Sequence, residues 1–286
     1  MHQQSITCLN GRFLPTHEAM LPITDRGFRF GDGVFETIRM QKGVPYQWEL
    51  HLSRLAFGLG ALRIAPPIVD WPSIARQMLR ENHARDGFLR LSVSRGVGSQ
   101  GYLPHADIQA NWAMEYLAPV MAPLAPFRLY ACSITRPSLT SLPVNHKLAH
   151  GIGSTLALLQ ARDHGCDEAL MLSHDGSISE ASSGNIFWLK GDTLFTPSLS
   201  TGCLAGTTRD AILRLTHAHE VTVGIDELYA ADAMFITNAR LGIWPVASLL
   251  PIEKHYNAHH PSIERITTEL EADREAYHAT HAKKWA

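Results

Sequence analysis

Lys147, in the segment LPVNHKLAHG, is a residue whose side chain could do chemistry. A free amine can attack a carbonyl carbon and can then carry protons to and from a substrate. Downstream, Glu180 offers a carboxylate in the segment SEASSGNIFWLKGDTLFTP, which spans Ser179–Pro197. Taken alone, Lys147 could be a solvated surface lysine, and Glu180 could be a turn residue before a strand. The residues around each position decide between these interpretations and a catalytic role.

Two further places in the sequence could bind an anion. Arg54 lies in HLSRL on a predicted helix whose Leu52 and Leu55 point inward, and a guanidinium drawn inward needs an anion. An ordinary surface arginine is the alternative. Thr207 and Thr208 in GCLAGTTRDAIL open a predicted helix, where amide and hydroxyl groups can bind phosphate or simply cap the helix.

The elements that must position these residues follow from periodicity and turn signals. Apolar residues at helical spacing predict α-helices, and period-two alternation between turn residues predicts β-strands. The predicted helices are Glu49–Leu62, Trp71–His83, Leu148–Asp163, Thr207–His217 and a polar Glu264–Lys284. The predicted strands are Ser5–Leu9, Gly11–Leu14, Val34–Met40, Val44–Trp48, Phe88–Arg95, Asn111–Leu117, Arg128–Thr135, Glu168–Leu172, Asn185–Leu189, Leu194–Thr196 and Ala233–Thr237.

A proline-rich stretch predicts where the chain divides. LAPVMAPLAPF carries Pro119, Pro123 and Pro126, which forbid a helix and disfavour a central strand. We therefore predict an N-terminal α/β domain over residues 1–117, a linker over 118–127 and a C-terminal α/β domain over 128–286 that contains Lys147.

Composition excludes several classes of function. The 286 residues are 45% hydrophobic with a formal net charge of −2, so no basic excess favours a nucleic-acid partner. The four cysteines form no CxxC pair, and the 16 histidines match no metal-site spacing, so we expect reduced thiols and no metal. No apolar run is long enough to cross a membrane, and no signal peptide is recognised, which favours a cytoplasmic protein.

Two common catalytic patterns are absent from the sequence. No predicted strand is followed by a G-x-G-x-x-G segment that opens a helix, which argues against a dinucleotide fold. The SSGN segment lacks the G-x-S-x-G pattern of a serine hydrolase.

Several segments together resemble the class IV aminotransferase family, from about Asp25 to Val246. They are DRGFRFGDGVFETIR, HLSRL, the lysine segment with Glu180 at the family's separation, SEASSGN, GCLAGTTRDAIL and ITNARLGIWPV. The resemblance implies a two-domain α/β (α+β) enzyme of fold type IV, like D-amino-acid aminotransferase, with pyridoxal phosphate between the domains. It also implies a homodimer that acts on a small molecule.

The resemblance assigns a role to each matching residue. Lys147 would bind the cofactor aldehyde covalently and shuttle protons, and Glu180 would pair with the protonated pyridine nitrogen, which favours electron withdrawal by the ring. The phosphate would be bound by residues at matching positions, namely Arg54, Thr207, Thr208, Thr237 and Asn238.

The reaction type depends on fewer residues. SRGVGSQGYLP (Ser94–Pro104) is similar to a loop of aminodeoxychorismate lyases, which implies formation of 4-aminobenzoate and pyruvate for folate synthesis. Arg29, Arg95 and Tyr102 would then bind the substrate carboxylates. His150 stands where lyases and aminotransferases alike commonly have asparagine.

Two alternatives stay open at this point. One is an aminotransferase for D-amino acids, branched-chain amino acids or amines, although Ile152 stands where branched-chain enzymes usually have tyrosine. The other is a binding protein of the same fold that has no cofactor.

Overall fold

The structure, a computed structural model, describes residues 5–98, 100–121 and 123–285. Contacts between residues divide the chain into two compact units. The first unit extends through Val120 and also contains His146–His150 and the chain from Arg274 onward. The second contains Met121–Asn145 and Gly151–Asp273. Residues 146–150, which include Lys147, thus group with the first unit, whereas the sequence prediction placed this lysine in the C-terminal domain.

The first unit is built on a six-stranded sheet in which every neighbouring pair is antiparallel. In spatial order the strands are β2, β1, β6, β5, β3 and β4. Their ranges are β1 Ile6–Leu9, β2 Arg12–Pro15, β3 Gly33–Gln41, β4 Val44–Pro45, β5 Gly87–Ser94 and β6 Asn111–Leu117. Helices α1 Arg26–Phe30, α2 Trp48–Ala61 and α3 Trp71–Glu81 complete the unit's first part.

Local sequence explains where these elements begin and turn. Asn10 and Gly11 join β1 to β2 with positive φ values of 49° and 85°, the conformation that a two-residue hairpin turn requires. Asp70 caps α3 by accepting a hydrogen bond from Ser73 N at 3.1 Å. Asp25 caps α1 in the same way through Gly27 N at 2.7 Å. The short α1 lies in DRGFRFGDGVFETIR, for which no helix was predicted from the sequence.

A buried ionic cluster, formed by Glu36, His51 and Arg54, joins β3 to α2. Glu36 accepts hydrogen bonds from Arg54 Nε and lies against His51 Nδ1, both at 2.7 Å. Burial raises the pKa of Glu36, but the charge of Arg54 and the bonds to both partners outweigh it and hold this pKa at about 2. Burial lowers the pKa of His51, an effect that Glu36 offsets only in part.

The second unit is built on a nine-stranded mixed sheet. In spatial order the strands are β12, β11, β10, β13, β14, β7, β8 and β9, with β15 paired to β14. Their ranges are β7 Phe127–Ala131, β8 Glu168–Leu172, β9 Ile178–Ala181, β10 Asn185–Lys190, β11 Thr193–Pro197, β12 His219–Val221, β13 Ala233–Asn238, β14 Gly242–Leu250 and β15 Lys254–His255. The helices are α4 Ile152–Asp163, α5 Thr207–Leu215 and α6 Pro261–Trp285, whose residues from Arg274 count with the first unit.

Two helix predictions differ from the structure. The helix predicted from Leu148 begins only at Ile152, because Leu148 belongs to an extended segment with an isolated bridge to Val34. Its residues Ile152, Leu156 and Leu159, expected on one apolar face, are exposed, and the smaller Ala157 and Ala161 are buried instead. The helix predicted as polar from Glu264 begins at Pro261, and its first turns bury Ile263, Ile266 and Leu270.

Within the described ranges, no helix is long and apolar enough to cross a membrane. The same residues contain no group of three or more histidine, cysteine, aspartate or glutamate side chains that could hold a metal ion. All four cysteines are free and buried.

The buried ionic cluster predicts that acid destabilises the fold. His51 has a lowered pKa in the folded state, so its contribution to stability is complete above pH 6.5 and decreases as the pH falls below that value. The Glu36 contribution decreases in turn between pH 4.5 and about 2. We expect the free energy of unfolding, measured with urea from pH 8 to 5 in steps of about one unit, to fall as the pH falls.

The variant His51→Gln, which can still donate to Glu36 but cannot be protonated, is the control. Its stability should change less between pH 8 and 5 than that of the unaltered protein. Equal slopes for the two proteins would contradict the assignment of this effect to His51.

Candidate functional site

Lys147 is held by backbone hydrogen bonds to β3. The carbonyl oxygen of Lys147 accepts from Phe35 N at 3.0 Å, and Ala149 N donates to the carbonyl oxygen of Gly33 at 2.8 Å. Residues 146–150 therefore lie along the start of β3 like a short added strand. This arrangement fixes the lysine backbone on a rigid element rather than in a free loop.

A close approach of the backbone at Gly31 makes room for this segment. Gly31 ends α1 with φ of 65°, and a Cβ atom added to it would lie 2.8 Å from His150 Cβ and 3.1 Å from His150 Cα. Both the backbone conformation and the space require glycine here. Gly31 thus makes room for the lysine segment, whereas Cβ atoms at Gly27 and Gly33 would instead meet Ser94.

The Lys147 side chain lies over an aromatic face. Its Nζ atom is 4.4 Å from the centroid of the Phe35 ring, a cation–π distance. The positive charge of Lys147 is also near enough to contribute to the lowered pKa of His51. The amine therefore stands beside the buried ionic cluster of the same unit.

Arg54, which the sequence identifies as a phosphate ligand, is bound to Glu36 within the first unit. Its Nε and one terminal nitrogen contact both carboxylate oxygens, and its side chain is only 10% exposed. The inward guanidinium that the sequence predicted does meet an anion, and this anion is a carboxylate of the chain itself. Its role toward a phosphate stays a prediction.

The residues predicted to bind substrate carboxylates differ in their surroundings. Arg95 binds both oxygens of Asp32, at 2.7 and 3.0 Å, and donates to the carbonyls of Leu62 and Arg63 at 2.7 and 2.9 Å. Arg95 thus makes four hydrogen bonds within the fold, and a guanidinium has five N–H donors. Arg29 and Tyr102 are exposed.

The loop that contains Tyr102 is itself fastened by a buried arginine. Arg26 donates to the carbonyls of Gly101 and Tyr102 at 2.9 and 2.7 Å and pairs with Asp32 at 2.8 Å. An added Cβ at Gly98 would meet the Arg26 side chain at 3.0 Å. The arginine and glycines of SRGVGSQGYLP therefore have roles inside the fold.

Glu180 lies on β9 of the second unit, where three groups hold its carboxylate. Oε1 pairs with Arg136 Nη2 at 3.0 Å, while Oε2 accepts from Leu204 N at 2.9 Å and, at the long distance of 3.5 Å, from Asn185 Nδ2. Arg136 is fixed in turn by the carbonyls of Val144 and Gly202, at 2.8 and 3.2 Å. A carboxylate so held keeps its orientation.

The serines that follow Glu180 serve the fold. Ser182 and Ser183 donate through their hydroxyl groups to the buried carboxylate of Glu168 at the start of β8. Ser182 N donates to the same carboxylate at 3.2 Å. This bonding fixes the turn from β9 to β10 and thereby sets the position of Glu180.

Polar groups suited to a phosphate occur at the start of α5 and on β13. Thr207 and Thr208 are the first two residues of α5, and both are buried. The residue before them, Gly206, has no side chain that could accept a hydrogen bond from the backbone amides of the first turn. Thr237 Oγ1 is buried and has no hydrogen-bond partner in the part of the chain that the structure describes. A buried hydroxyl without a partner is costly, which indicates a ligand atom at this point.

Asn238, the other predicted phosphate residue, has its amide occupied. Its oxygen accepts from Arg240 N and Leu241 N at 2.9 and 2.8 Å, and its nitrogen donates to the carbonyl of Ser183 at 3.1 Å. These bonds close the turn between β13 and β14. The side chain thus has a structural role, and its binding to phosphate remains a prediction.

Sequence reasoning missed four residues of these two clusters. Glu36 and His51 were read as parts of a strand and a helix, although GVFETIR places a charge in an otherwise apolar strand, which was a usable signal. Arg136 and Asn185 stand in a loop and at a strand start. No spacing in the sequence links them to Glu180.

The sequence of the chain is similar to those of known proteins. The pattern of the family "Amino-transferase class IV" matches residues 33–249. The chain is 33% identical over 248 residues to a protein of Methanocaldococcus jannaschii described as "Putative branched-chain-amino-acid aminotransferase", covering 83% of this chain and 85% of the relative. It is 29% identical over 252 residues to the aminodeoxychorismate lyase of Bacillus subtilis, covering 84% of this chain and 85% of that one.

A solved structure shows the same fold. The branched-chain aminotransferase of Thermoproteus uzoniensis, solved with norvaline, superposes with a TM-score of 0.89 over 97% of this chain and 98% of that one, at 23% identity. The mixed α/β architecture predicted from the sequence is thereby confirmed. The family match covers well over half of the chain, and we conclude that this protein belongs to the class IV aminotransferase family of pyridoxal-phosphate enzymes.

Proposed function

We propose that the protein is an aminotransferase that moves an amino group from an α-amino acid to a 2-oxo acid. The family match supports amino transfer in general. The internal use of Arg95 supports amino transfer over lyase activity, because Arg95 lies in the loop that is similar to a loop of lyases. With its guanidinium bound to Asp32 and to two carbonyls, Arg95 does not favour a substrate with several carboxylates.

Lys147 would be the residue that bonds to the cofactor aldehyde and moves the proton. Its backbone is fixed to β3 and its amine is packed on Phe35, so the nitrogen is held with little conformational freedom. When bound, the cofactor supplies an electron-withdrawing ring for the charge that forms as the substrate loses its α-proton. A positioned lysine can remove this proton and return it to another carbon, as amino transfer requires.

The second unit would supply the groups for the ring nitrogen and the phosphate. Glu180, held by Arg136 and Leu204 N, would keep a pyridine nitrogen protonated. The unpartnered hydroxyl of Thr237 and the uncapped start of α5 fit a phosphate ester, which accepts several hydrogen bonds. Arg54 of the first unit, predicted as a further phosphate residue, would add positive charge.

Aminodeoxychorismate lyase activity is the second candidate. The similarity to the Bacillus subtilis lyase favours it, and so does the exposure of Arg29 and Tyr102, which leaves both side chains accessible to a substrate carboxylate. Lyase and aminotransferase reactions begin with the same removal of a proton by a lysine. They differ in whether the amino group stays on the product.

A single-turnover experiment distinguishes the two candidates. We expect the yellow protein to lose its visible absorption on addition of L-leucine, D-alanine or L-glutamate and to regain it with the matching 2-oxo acid. Lys147→Ala should show neither change, because it lacks the proton-transferring amine. Retained absorption with every amino acid, together with release of 4-aminobenzoate from aminodeoxychorismate, would establish the lyase instead.

The phosphate assignment is tested by Thr237→Val, which removes the hydroxyl but keeps the shape. We expect about tenfold weaker binding of pyridoxal phosphate to the apoprotein, since a hydrogen bond to a charged group contributes about 1.5 kcal/mol. The measurement is a titration followed by absorbance, with the free energy of unfolding measured in parallel.

Thr196→Val is the matched control on a nearby strand, because Thr196 Oγ1 is buried and donates to the carbonyl of Ile186 at 2.8 Å. This control should lose about 1 kcal/mol of stability and keep its cofactor affinity. If Thr237→Val bound the cofactor as tightly as the unaltered protein does, Thr237 would not be a phosphate ligand.

We also propose that the chain forms a homodimer, which the resemblance implies. The exposed apolar residues Ile152, Leu156 and Leu159 on α4 support this proposal, because such a patch favours a protein partner. We expect light scattering after gel filtration to give twice the chain mass. Leu156→Glu with Leu159→Glu should give one chain mass, and Ile68→Glu, at a fully exposed site in the first unit, should not change the mass. A monomeric unaltered protein would refute the proposal.

A further inference from the structure

The first unit contains a cavity of about 770 Å³ that none of the cofactor residues lines. Its walls come from the β3–β4 turn, from α3 with the segment after it, and from the last turns of α6. Small-molecule sites commonly have volumes of about 300–1,000 Å³. The cavity is therefore large enough for a small organic molecule.

The charge of this cavity is of one sign. Half of its twelve lining residues are basic, and none of the twelve is acidic. The basic residues are Lys42, Arg76, Arg80, His83, Arg85 and His278. The whole chain has a slightly negative net charge, so this local concentration of positive charge is not a consequence of composition.

Three of these charges lack a counter-ion in the fold. Lys42 pairs with Glu275 outside the lining, at 2.9 Å. By contrast, the guanidinium groups of Arg76, Arg80 and Arg85 make no hydrogen bond or ion pair with the residues that the structure describes. These three guanidinium groups line one cavity, and their like charges attract an anion to it.

The floor of the cavity is apolar and includes an unused donor. Val44, Leu79 and Trp285 are buried and line it. Trp285 Nε1 is buried and has no acceptor in the described part of the chain. The ring of Trp285 therefore contributes apolar surface to the floor of the cavity.

We propose that this cavity binds a small organic anion that carries at least two negative charges on an apolar body, such as a phosphate monoester. The arginines of α3 and Arg85 would bind the charged group, since guanidinium forks match phosphate oxygens. The apolar floor would bind the body of the molecule. The proposal does not depend on the reaction that the enzyme catalyses, because the cavity shares no residue with the cofactor groups.

Isothermal titration of the cofactor-loaded protein with phenyl phosphate tests this proposal. We expect one molecule bound per chain, an affinity that weakens as salt is added, and an unchanged visible absorption of the cofactor. Arg76→Gln with Arg80→Gln should weaken binding about tenfold or more, which corresponds to about 1.4 kcal/mol.

The matched control is Arg162→Gln with Arg265→Gln, two exposed helical arginines outside the cavity. This control should bind phenyl phosphate as the unaltered protein does. Absence of binding, or equal weakening in both double variants, would overturn the proposal, as would a change in cofactor absorption on binding. Trp285→Phe serves as a second variant if the first does not fold, and it should also weaken binding.

Discussion

The carboxylate of Glu36, buried on β3, is the constraint on which the first unit depends. A charge in that position is costly unless opposite charge and hydrogen bonds surround it, and α2 provides both through His51 and Arg54. This requirement fixes α2 against β3 in one register. Since residues 146–150 hydrogen-bond to β3, the same strand that demands the ionic cluster also orients Lys147. The ionic cluster and the placement of the Lys147 backbone thus both depend on strand β3.

In the second unit, hydrogen bonds and an ion pair likewise hold one carboxylate, that of Glu180. Asn185 donates to the carbonyl of Leu204 and approaches Glu180, whereas Leu204 N donates to Glu180, so strand β10 and the chain before α5 are coupled to one carboxylate. Asn185 also pairs across the sheet with Thr237 on β13. Glu180 on β9 and Thr237 on β13, proposed for the ring nitrogen and the phosphate, are therefore linked through Asn185 on β10 of the same sheet. Rigid support of this kind favours precise positioning of a bound group.

Turn residues, strand alternation and sequence motifs made several elements and the family predictable from the sequence. Asn10-Gly11 specified the first hairpin, and alternation specified β3 and β5 to within a residue or two. The motif with Lys147 and Glu180 indicated the family that the comparisons confirmed. The face of α4 was not predictable, because burial depends on neighbours distant in sequence, and there alanines pack inward while leucines are exposed. For the same reason Arg136 could not be assigned from spacing, since its bond to Glu180 joins a loop to a strand.

The close packing of Gly31 against His150 bears on how this enzyme could be altered. Position 31 accepts no side chain without displacing the segment that carries the lysine, whereas Arg29 and Tyr102 are exposed side chains at which sequence changes have room. A library at the proposed substrate residues would therefore vary positions 29 and 102 and leave 31 unchanged. Position 150 is also restricted, because its backbone and Cβ face Gly31. Substitutions are therefore better tolerated at these exposed side chains than at the positions where the main chain is closely packed.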